Sequence, residues 1–354
     1  MTRPANGSGK SGILTSHGRR RVTLADLAAK TGLSSATISR VLNGKSVVAS
    51  DTRRTVLNAL DELGYRRPPS AQPHSDGLVG VVLPDLDNPV YPQYLESIEI
   101  ALSRHGYGSL LCSQRFSGSS ESAMISRLID YGVVAAIFID GLHGDTTSDK
   151  SPYVRLHNSG ARLVLINGFS SQIPGVFISL DNVSAMKSVV AHLSDLGHED
   201  IGLVVGPMRY LDAERKKVAF LDVMKGHGLG THARCVSSLS SVEGGQAAAI
   251  ALIDQGCTAI VCSSASFALG ALLASHSRGL RVPEDLSIVG FDDFAAAPYL
   301  DPALTTIRQP IIPMSSAAVS AIADSGFAED AASAELMFQS SLIVRRSTAA
   351  RSSG

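Results

Sequence analysis

The chain has 354 residues, of which 44% are hydrophobic and 18% are charged, and it contains no tryptophan. This globular composition can fill two or three domains, and the lack of an apolar run of about 18 residues excludes a transmembrane helix. The basic N-terminal stretch has no apolar segment, which excludes a secretory signal. We therefore expect a cytoplasmic protein with no membrane partner.

The four cysteines are Cys112, Cys235, Cys257 and Cys262. Their spacing does not match that of a metal site, and we interpret them as small core residues of a reduced chain. We accordingly expect no metal and no cofactor.

Charge is distributed unevenly along the chain. Residues 1–67 contain 12 lysines and arginines against four acidic residues, a net charge of +8, whereas the rest of the chain carries −9. A basic N-terminal part on an acidic body favours a polyanionic partner such as DNA. An ordinary solvated surface is the alternative interpretation of the same charges.

Two short helices around a tight turn are predicted after a disordered basic tail at residues 1–20. Thr23 can cap the first helix, and Gly32 can end it. Ser34 can cap the second, "LSSATISRVLNG", whose small hydroxyl side chains suit a helix pressed against a phosphate backbone. A third helix, in "SDTRRTVLNALDELGY", completes a helix-turn-helix domain.

The pattern changes after a Pro- and Ser-rich linker. Eight short apolar runs follow, separated by helix-like stretches: "LVGVVLP", "GSLLCS", "VAAIFID", "RLVLIN", "GVFISLDN", "IGLVVGP", "AIVCSS" and "LSIVGFDD". Such strands predict parallel sheets covered on both faces, here as two doubly wound lobes, which bind ligands at the carboxyl ends of their strands. Several of these ends are polar: Asp85 to Asn88, Asn167, Asp181, Asn182, Ser263, Ser264, Asp292 and Asp293.

Several longer motifs occur in a characteristic order between residues 22 and 348: "VTLADLAAKTGLSSATISRVLNG", "LDELGY", "VVLPDLDNPVY", "HLSDLGHEDIGLVVGP", "GLRVPEDLSIVGFDD", "PALTTIRQP" and "LIVRRST". The chain thereby resembles the LacI/GalR family of transcriptional regulators. The resemblance implies an all-α helix-turn-helix head and an α/β core of two doubly wound parallel-sheet lobes, similar to the periplasmic binding proteins. The implied boundaries are 21–66 for the head, 67–77 for the hinge, 78–179 with 308–325 for the N-subdomain, 180–307 with 326–348 for the C-subdomain, and 349–354 for a tail.

The resemblance also implies how the head binds DNA, with its second helix in the major groove. The implied contacts are to phosphates from Thr23, Ser34, Thr37, Ser39 and Asn43, and to base edges from Ser35, Ala36 and Arg40. The alternative for Arg40 is that it is an ordinary solvated surface residue. The alternative for Ser35 and Ala36 is that their small side chains make few contacts with DNA. The implied partner is a double-stranded, pseudo-palindromic operator bound by a homodimer, and repression rather than activation follows from the family alone.

The hinge departs from the family pattern. Family members insert a leucine from a hinge helix into the minor groove, whereas this chain has Pro73 inside the corresponding stretch and His74 at the leucine position. Proline inside a helix costs roughly 3 kcal/mol. We therefore expect weaker bending of the operator than in the family.

The resemblance implies an effector site in the core, formed by Asn88, Tyr91, Asn167, Lys216, Asp292 and Gln309. Asp292 would bind ligand hydroxyls, or alternatively cap a helix. Lys216 replaces the family's arginine between Arg215 and Lys217, and Ser240 stands where the family has a ring-stacking aromatic residue. Arg215, Lys216 and Lys217 would form a cationic rim, which favours a polar or anionic sugar-like metabolite as the effector. A neutral sugar or nucleoside is the second alternative, and a pocket that binds no small ligand is the third.

Two other functional classes remain possible on the same two-lobed core, a solute-binding module and an enzyme. The chain contains no phosphate-binding Gly loop, no H-E-x-x-H and no G-x-S-x-G motif, so we expect no catalytic residues. Residues 22–66 discriminate against a solute-binding protein, which would not carry the basic head. The sequence therefore predicts a sequence-specific DNA-binding regulator.

Overall fold

The computed structural model describes residues 24–42, 52, 55–56, 59, 77–113, 120–323 and 335–351. These residues belong to two compact units, one within residues 1–75 and the other within residues 76–354. Among the helices described, none has the length and apolar character needed to cross a membrane.

The first unit contains the two predicted helices, α1 (Leu24–Thr31) and α2 (Ser35–Leu42). Gly32 follows α1 with a φ of 69°, the left-handed conformation that glycine adopts at helix ends. The hydroxyl of Ser34 accepts a hydrogen bond from the backbone N–H of Thr37 at 3.1 Å, which confirms the predicted cap of α2.

The apolar faces of this unit are buried. The predicted third helix lies largely outside the described residues, but Thr52, Thr55, Val56 and Ala59 are helical. The buried side chains are those of Leu27, Ile38, Val41, Val56 and Ala59. They recur at helical spacing, so the pattern in the sequence marks the packed side of each helix.

The second unit contains two lobes, each built on a parallel sheet. The first sheet comprises β1 (Leu78–Leu83), β2 (Gly108–Ser113), β3 (Ala135–Ile139), β4 (Arg162–Ile166), β5 (Val176–Leu180) and β11 (Glu335–Phe338), in the order β11-β5-β4-β3-β1-β2. The second comprises β6 (Ile201–Val205), β7 (Arg234–Ser237), β8 (Ala259–Cys262), β9 (Ser287–Phe291), β10 (Thr305–Arg308) and β12 (Ser341–Ile343), in the order β12-β10-β9-β8-β6-β7. Only β12, on β10, is antiparallel among the described strand pairs.

Helices cover both faces of each sheet. The first lobe contains α3 (Val90–Arg104), α4 (Glu121–Asp130), α5 (Ser151–Asn158) and α10 (Ile311–Ala323). The second contains α6 (Asn182–Asp195), α7 (Leu211–Gly226), α8 (Val242–Asp254) and α9 (Ala265–Ser277). Every residue of β3 and β9 is buried, which is why these strands are continuously apolar rather than alternating.

One predicted boundary is wrong. We expected residues 326–348 to lie in the second lobe, but β11 pairs with β5 in the sheet of the first lobe, and only β12 joins the second sheet. The chain therefore passes between the lobes after β5, after β10 and after β11. The four residues "ELMF" of β11 form a short edge strand, and nothing in their local pattern specifies which sheet they join.

Candidate functional site

All six residues predicted to bind an effector line one cavity between the lobes, with a volume of about 310 Å³. They are Asn88, Tyr91, Asn167, Lys216, Asp292 and Gln309. The parallel sheets explain the convergence, because the carboxyl ends of their strands face this cleft. Their binding role itself stays a prediction.

Three cleft residues hold their backbone in the left-handed region. Asp140 after β3 has a φ of 48°, Asn167 after β4 has 61°, and Asp292 after β9 has 82°. Aspartate and asparagine tolerate this conformation better than most residues, and such strain concentrates at ligand sites. Each of these side chains lines the cavity.

Asp140 is a cleft residue that the sequence analysis missed. Burial, followed by the negative charge of Asp212, raises the pKa of Asp140 to about 7, while Lys216 and a hydrogen bond with Asn167 oppose the shift. Asp140 ends the run "VAAIFID" as Asn167 ends "RLVLIN". A polar residue at a strand end was therefore the signal that could have identified it.

Asp292 belongs to a hydrogen-bonded chain that joins the lobes. Tyr94 on α3 donates from its hydroxyl to Gln309 Oε1 at 2.8 Å, and Gln309 Nε2 donates to Asp292 Oδ1 at 2.5 Å. The other oxygen of Asp292 accepts the backbone N–H of Ala265 at the start of α9, at 3.2 Å. Asp292 thus contacts a helix N-terminus, as the alternative interpretation held, and also lines the cleft.

Lys216 is already paired within the cleft. Its Nζ lies 2.8 Å from Asp212 Oδ2, one helical turn earlier on α7, and 5.1 Å from the centre of the Phe291 ring. Burial lowers the pKa of Lys216, but the charges of Asp212, Asp292 and Asp140 outweigh burial and raise it. Lys216 therefore stays charged. The four-residue spacing of Asp212 and Lys216 was a visible signal for this pair.

The predicted cationic rim is wrong. Arg215 forms two hydrogen bonds with Glu335, at 2.5 and 3.0 Å, and lines a separate cavity of about 900 Å³ together with Val218 and Met337. Lys217 lines neither cavity. The physical reason is the helix itself, because successive residues of α7 point about 100° apart and only one of three neighbours can face the cleft.

The cleft lining contains two aromatic residues that the sequence analysis did not name, Tyr210 and Phe267. Ser240 lines it at the position of the family's aromatic residue; Phe267 and the predicted Tyr91 are buried, whereas Tyr210 is half-buried. The guanidinium of Arg209 lies 5.2 Å from the centre of the Tyr210 ring. Tyr210 is therefore the aromatic residue of the cleft whose ring is not fully buried.

Carboxyl groups outnumber cations among the titratable side chains of the cleft. Its described lining contains the carboxyl groups of Asp85, Asp140, Asp212 and Asp292 against the cations Lys216 and Arg209. Among its amides, Asn167 Oδ1 is buried without a hydrogen-bond partner within the described residues.

Of the predicted DNA-binding residues, Ser34 directly precedes α2, and Ser35, Ala36, Thr37, Ser39 and Arg40 belong to it. Ser34 and Ser35 are exposed, whereas Thr37 and Ser39 are half-buried. Thr23 and Asn43 lie outside the described residues, as do the side chains of Ala36 and Arg40. The hinge residues Pro73 and His74 also lie outside them.

Comparison with known proteins decides the family. The model of the LacI family of bacterial regulatory proteins matches residues 23–68, and a periplasmic binding protein-like domain matches residues 190–348. The HTH-type transcriptional regulator MalR of Streptomyces coelicolor is 46% identical over 332 residues, which cover 92% of this chain and 96% of MalR. The chain belongs to the LacI family. It is a DNA-binding transcriptional regulator with a helix-turn-helix head and an effector-binding core.

More distant relatives agree with this assignment. The HTH-type transcriptional repressor CytR of Escherichia coli is 28% identical over 335 residues, which cover 93% of this chain and 96% of CytR. A crystal structure of the lac repressor dimer bound to operator and the anti-inducer ONPF has a TM-score of 0.68 at 24% identity, covering 94% of this chain and 100% of that one. The predicted family and fold class are confirmed.

Proposed function

We propose that this LacI-family regulator is a repressor that binds a pseudo-palindromic operator as a homodimer and changes its operator affinity when a neutral, polyhydroxylated ligand occupies the cleft. One observation carries the ligand class. The cleft holds four carboxyl groups, and each of its two cations already has a carboxylate partner, Lys216 in Asp212 and Arg209 in Asp145.

This charge balance argues against an anionic ligand. A phosphate or carboxylate in the cleft would lie among Asp140, Asp212 and Asp292, and its negative charge would oppose the ionisation of these carboxyl groups. Sugar hydroxyls instead donate to or accept from these carboxyl groups, and accept from the amide groups of Asn88 and Gln309. We therefore place a neutral sugar ahead of the anionic metabolite that the sequence favoured.

The aromatic lining supports a ring-shaped ligand. Tyr210 on the second lobe lines the cleft with a half-buried aromatic ring, and the lining also contains the polar side chains of Asn88 and Asn167 on the first. Sites of this kind combine an apolar lining with a few placed polar groups. A sugar, with polar edges and apolar ring faces, fits both.

Two arguments support a dimeric repressor. A single short recognition helix reads only a few base pairs, so a second head related by two-fold symmetry is needed for specificity and implies a pseudo-palindromic site. The similarity to CytR, a transcriptional repressor, supports repression rather than activation.

A thermal-shift screen tests the ligand class. Glucose, maltose, cellobiose and glucose 6-phosphate are the probes, and a ligand present at about 100 times its Kd adds roughly 2.7 kcal/mol of stability. We expect a neutral sugar to stabilise the protein and the phosphate to do so less. Asp292→Asn and Asn167→Leu should abolish the shift, whereas Asp285→Asn, on the surface of the second lobe, should preserve it. Preference for glucose 6-phosphate, or a shift that survives both cleft substitutions, would contradict the proposal.

A further inference from the structure

Two loops from different lobes meet across the cleft. Asp145 and Thr146 lie in the loop after β3 of the first lobe, and Arg209 and Tyr210 lie in the loop after β6 of the second. The chain passes between the lobes along one edge of each sheet, through β5, β10 and β11, whereas β3 is the fourth strand from that edge and β6 the fifth. The meeting point is therefore on the side of the cleft away from the crossovers.

One ion pair and two hydrogen bonds join these loops. Arg209 Nε lies 2.9 Å from Asp145 Oδ2. The carbonyl oxygen of Arg209 accepts both the backbone N–H of Thr146 at 2.8 Å and its hydroxyl at 2.9 Å. Asp145 and Tyr210 complete the contact as an antiparallel β-bridge. Side-chain and backbone contacts thus coincide at one point between the lobes.

The first-lobe half of the contact is rigidly constructed. Lys150 Nζ donates to the carbonyl oxygens of Leu142 at 2.6 Å and Asp145 at 2.5 Å, and Thr147 N–H donates to Asp145 Oδ1 at 2.9 Å. Burial raises the pKa of Asp145, but the hydrogen bonds from Thr147 and the charges of Arg209 and Lys150 outweigh burial and lower it. Asp145 therefore presents a fixed, ionised carboxylate to the opposite lobe.

The second-lobe half reaches both solvent and the cleft. The side chain of Arg209 is 54% exposed while that of Asp145 is 6% exposed, so the ion pair lies at the cleft mouth. Arg209 and Tyr210 also line the cavity in which the predicted effector residues lie. Separation of the loops would therefore open the cavity to solvent.

We propose that Asp145, Thr146 and Arg209 form a clasp that holds the two lobes together at the mouth of the cleft. That the clasp controls ligand exchange rests on the proposed function, but the closure itself does not. Partly exposed ion pairs are weak, with typical contributions equivalent to no more than about a fivefold change in an equilibrium constant. The clasp therefore biases the lobes towards closure and still opens often enough for a ligand to enter and leave.

Distance measurement without any ligand tests the clasp. Spin labels at Ser103→Cys on α3 and Lys225→Cys on α7 place one probe on the exposed surface of each lobe, in a background with Cys112→Ser and Cys235→Ser. Dilution with unlabelled protein limits the double electron–electron resonance signal to pairs within one chain. The variants are Asp145→Asn, Arg209→Gln and both together, and the matched control is Asp285→Asn, which removes the surface ion pair of Arg281 and Asp285.

We expect each single clasp variant to raise the population of open conformations relative to closed ones, read from the distance distribution, by up to about fivefold compared with the control. The double variant should open no further than the singles, because both substitutions remove the same contact. Distributions identical to that of Asp285→Asn, or additive effects of the two singles, would overturn the clasp. Failure of every sugar in the thermal-shift screen would refute the proposed ligand and leave this result standing.

Discussion

Asp140 illustrates at the residue scale how the fold changes a carboxyl group. Its pKa of about 7, caused first by burial and then by Asp212, is far above the ordinary value of 3.8. Between these two values the folded protein binds more protons at this position than the unfolded chain does. Asp140 therefore costs stability as the pH rises from about 4 through about 7, because ionisation is disfavoured in the fold.

Asp140→Asn tests this assignment. The amide cannot ionise, so the variant should match the wild type near pH 4 and exceed its free energy of unfolding by at least about 1 kcal/mol above pH 7. Urea unfolding at a series of pH values measures the difference. Asp285→Asn is the opposite control, because the hydrogen bonds and charge of Arg281 lower the pKa of Asp285 to about 2, and its loss should destabilise the protein at neutral pH. A constant difference between Asp140→Asn and the wild type at all pH values would contradict the assignment.

The cleft residues show what a sequence can and cannot reveal about a site. The six effector residues came from family motifs, and the fold brings them together because motif positions track strand ends. The pairing of Lys216 with Asp212 was visible in its helical spacing, but that of Arg215 with Glu335 was not. Such contacts depend on which distant strand lies beside the helix, so the predicted cationic rim failed for a reason that only the fold supplies.

At the scale of elements, local signals located the head helices well. Gly32 ends α1 and Ser34 caps the start of α2. Both effects depend on residues only a few positions apart, so they can be predicted from the local sequence. The long apolar strands were equally clear. The strands β7, β10, β11 and β12 were missed because they are short, partly polar and at or next to a sheet edge, where pairing with distant residues decides their existence.

The cap of α2 gives a prediction for this element. Ser34→Ala removes the acceptor of the Thr37 N–H and should lower the stability of the head by about 1 kcal/mol. Thermal unfolding of the full-length protein, followed by circular dichroism, measures this effect as a shift in the unfolding transition of the head. Ser35→Ala, exposed on the same helix, is the control and should leave stability unchanged while weakening operator binding. Equal losses of stability in the two variants would show that Ser34 does not cap α2.

On the scale of the whole molecule, the cleft is the place where a ligand can act on both lobes at once. Asn167 belongs to the first lobe and Lys216 to the second, while the chain from Tyr94 through Gln309 to Asp292 already links them. A ligand that contacts both lobes favours the arrangement in which both sets of contacts form. In the regulator proposed above, this arrangement of the lobes changes how tightly the head binds the operator.

Measurement of operator affinity with and without ligand tests this coupling between the cleft and the head. A duplex selected from a random pool by the full-length protein serves as operator, and fluorescence anisotropy gives its Kd in the presence and absence of the neutral sugar that stabilises the protein. We predict that the sugar changes this Kd by about 5- to 150-fold in the wild type. We predict no such change when the sugar is added to Asp292→Asn. An operator Kd that stays the same when a sugar binds in the cleft, or that changes equally in Asp292→Asn, would contradict this coupling.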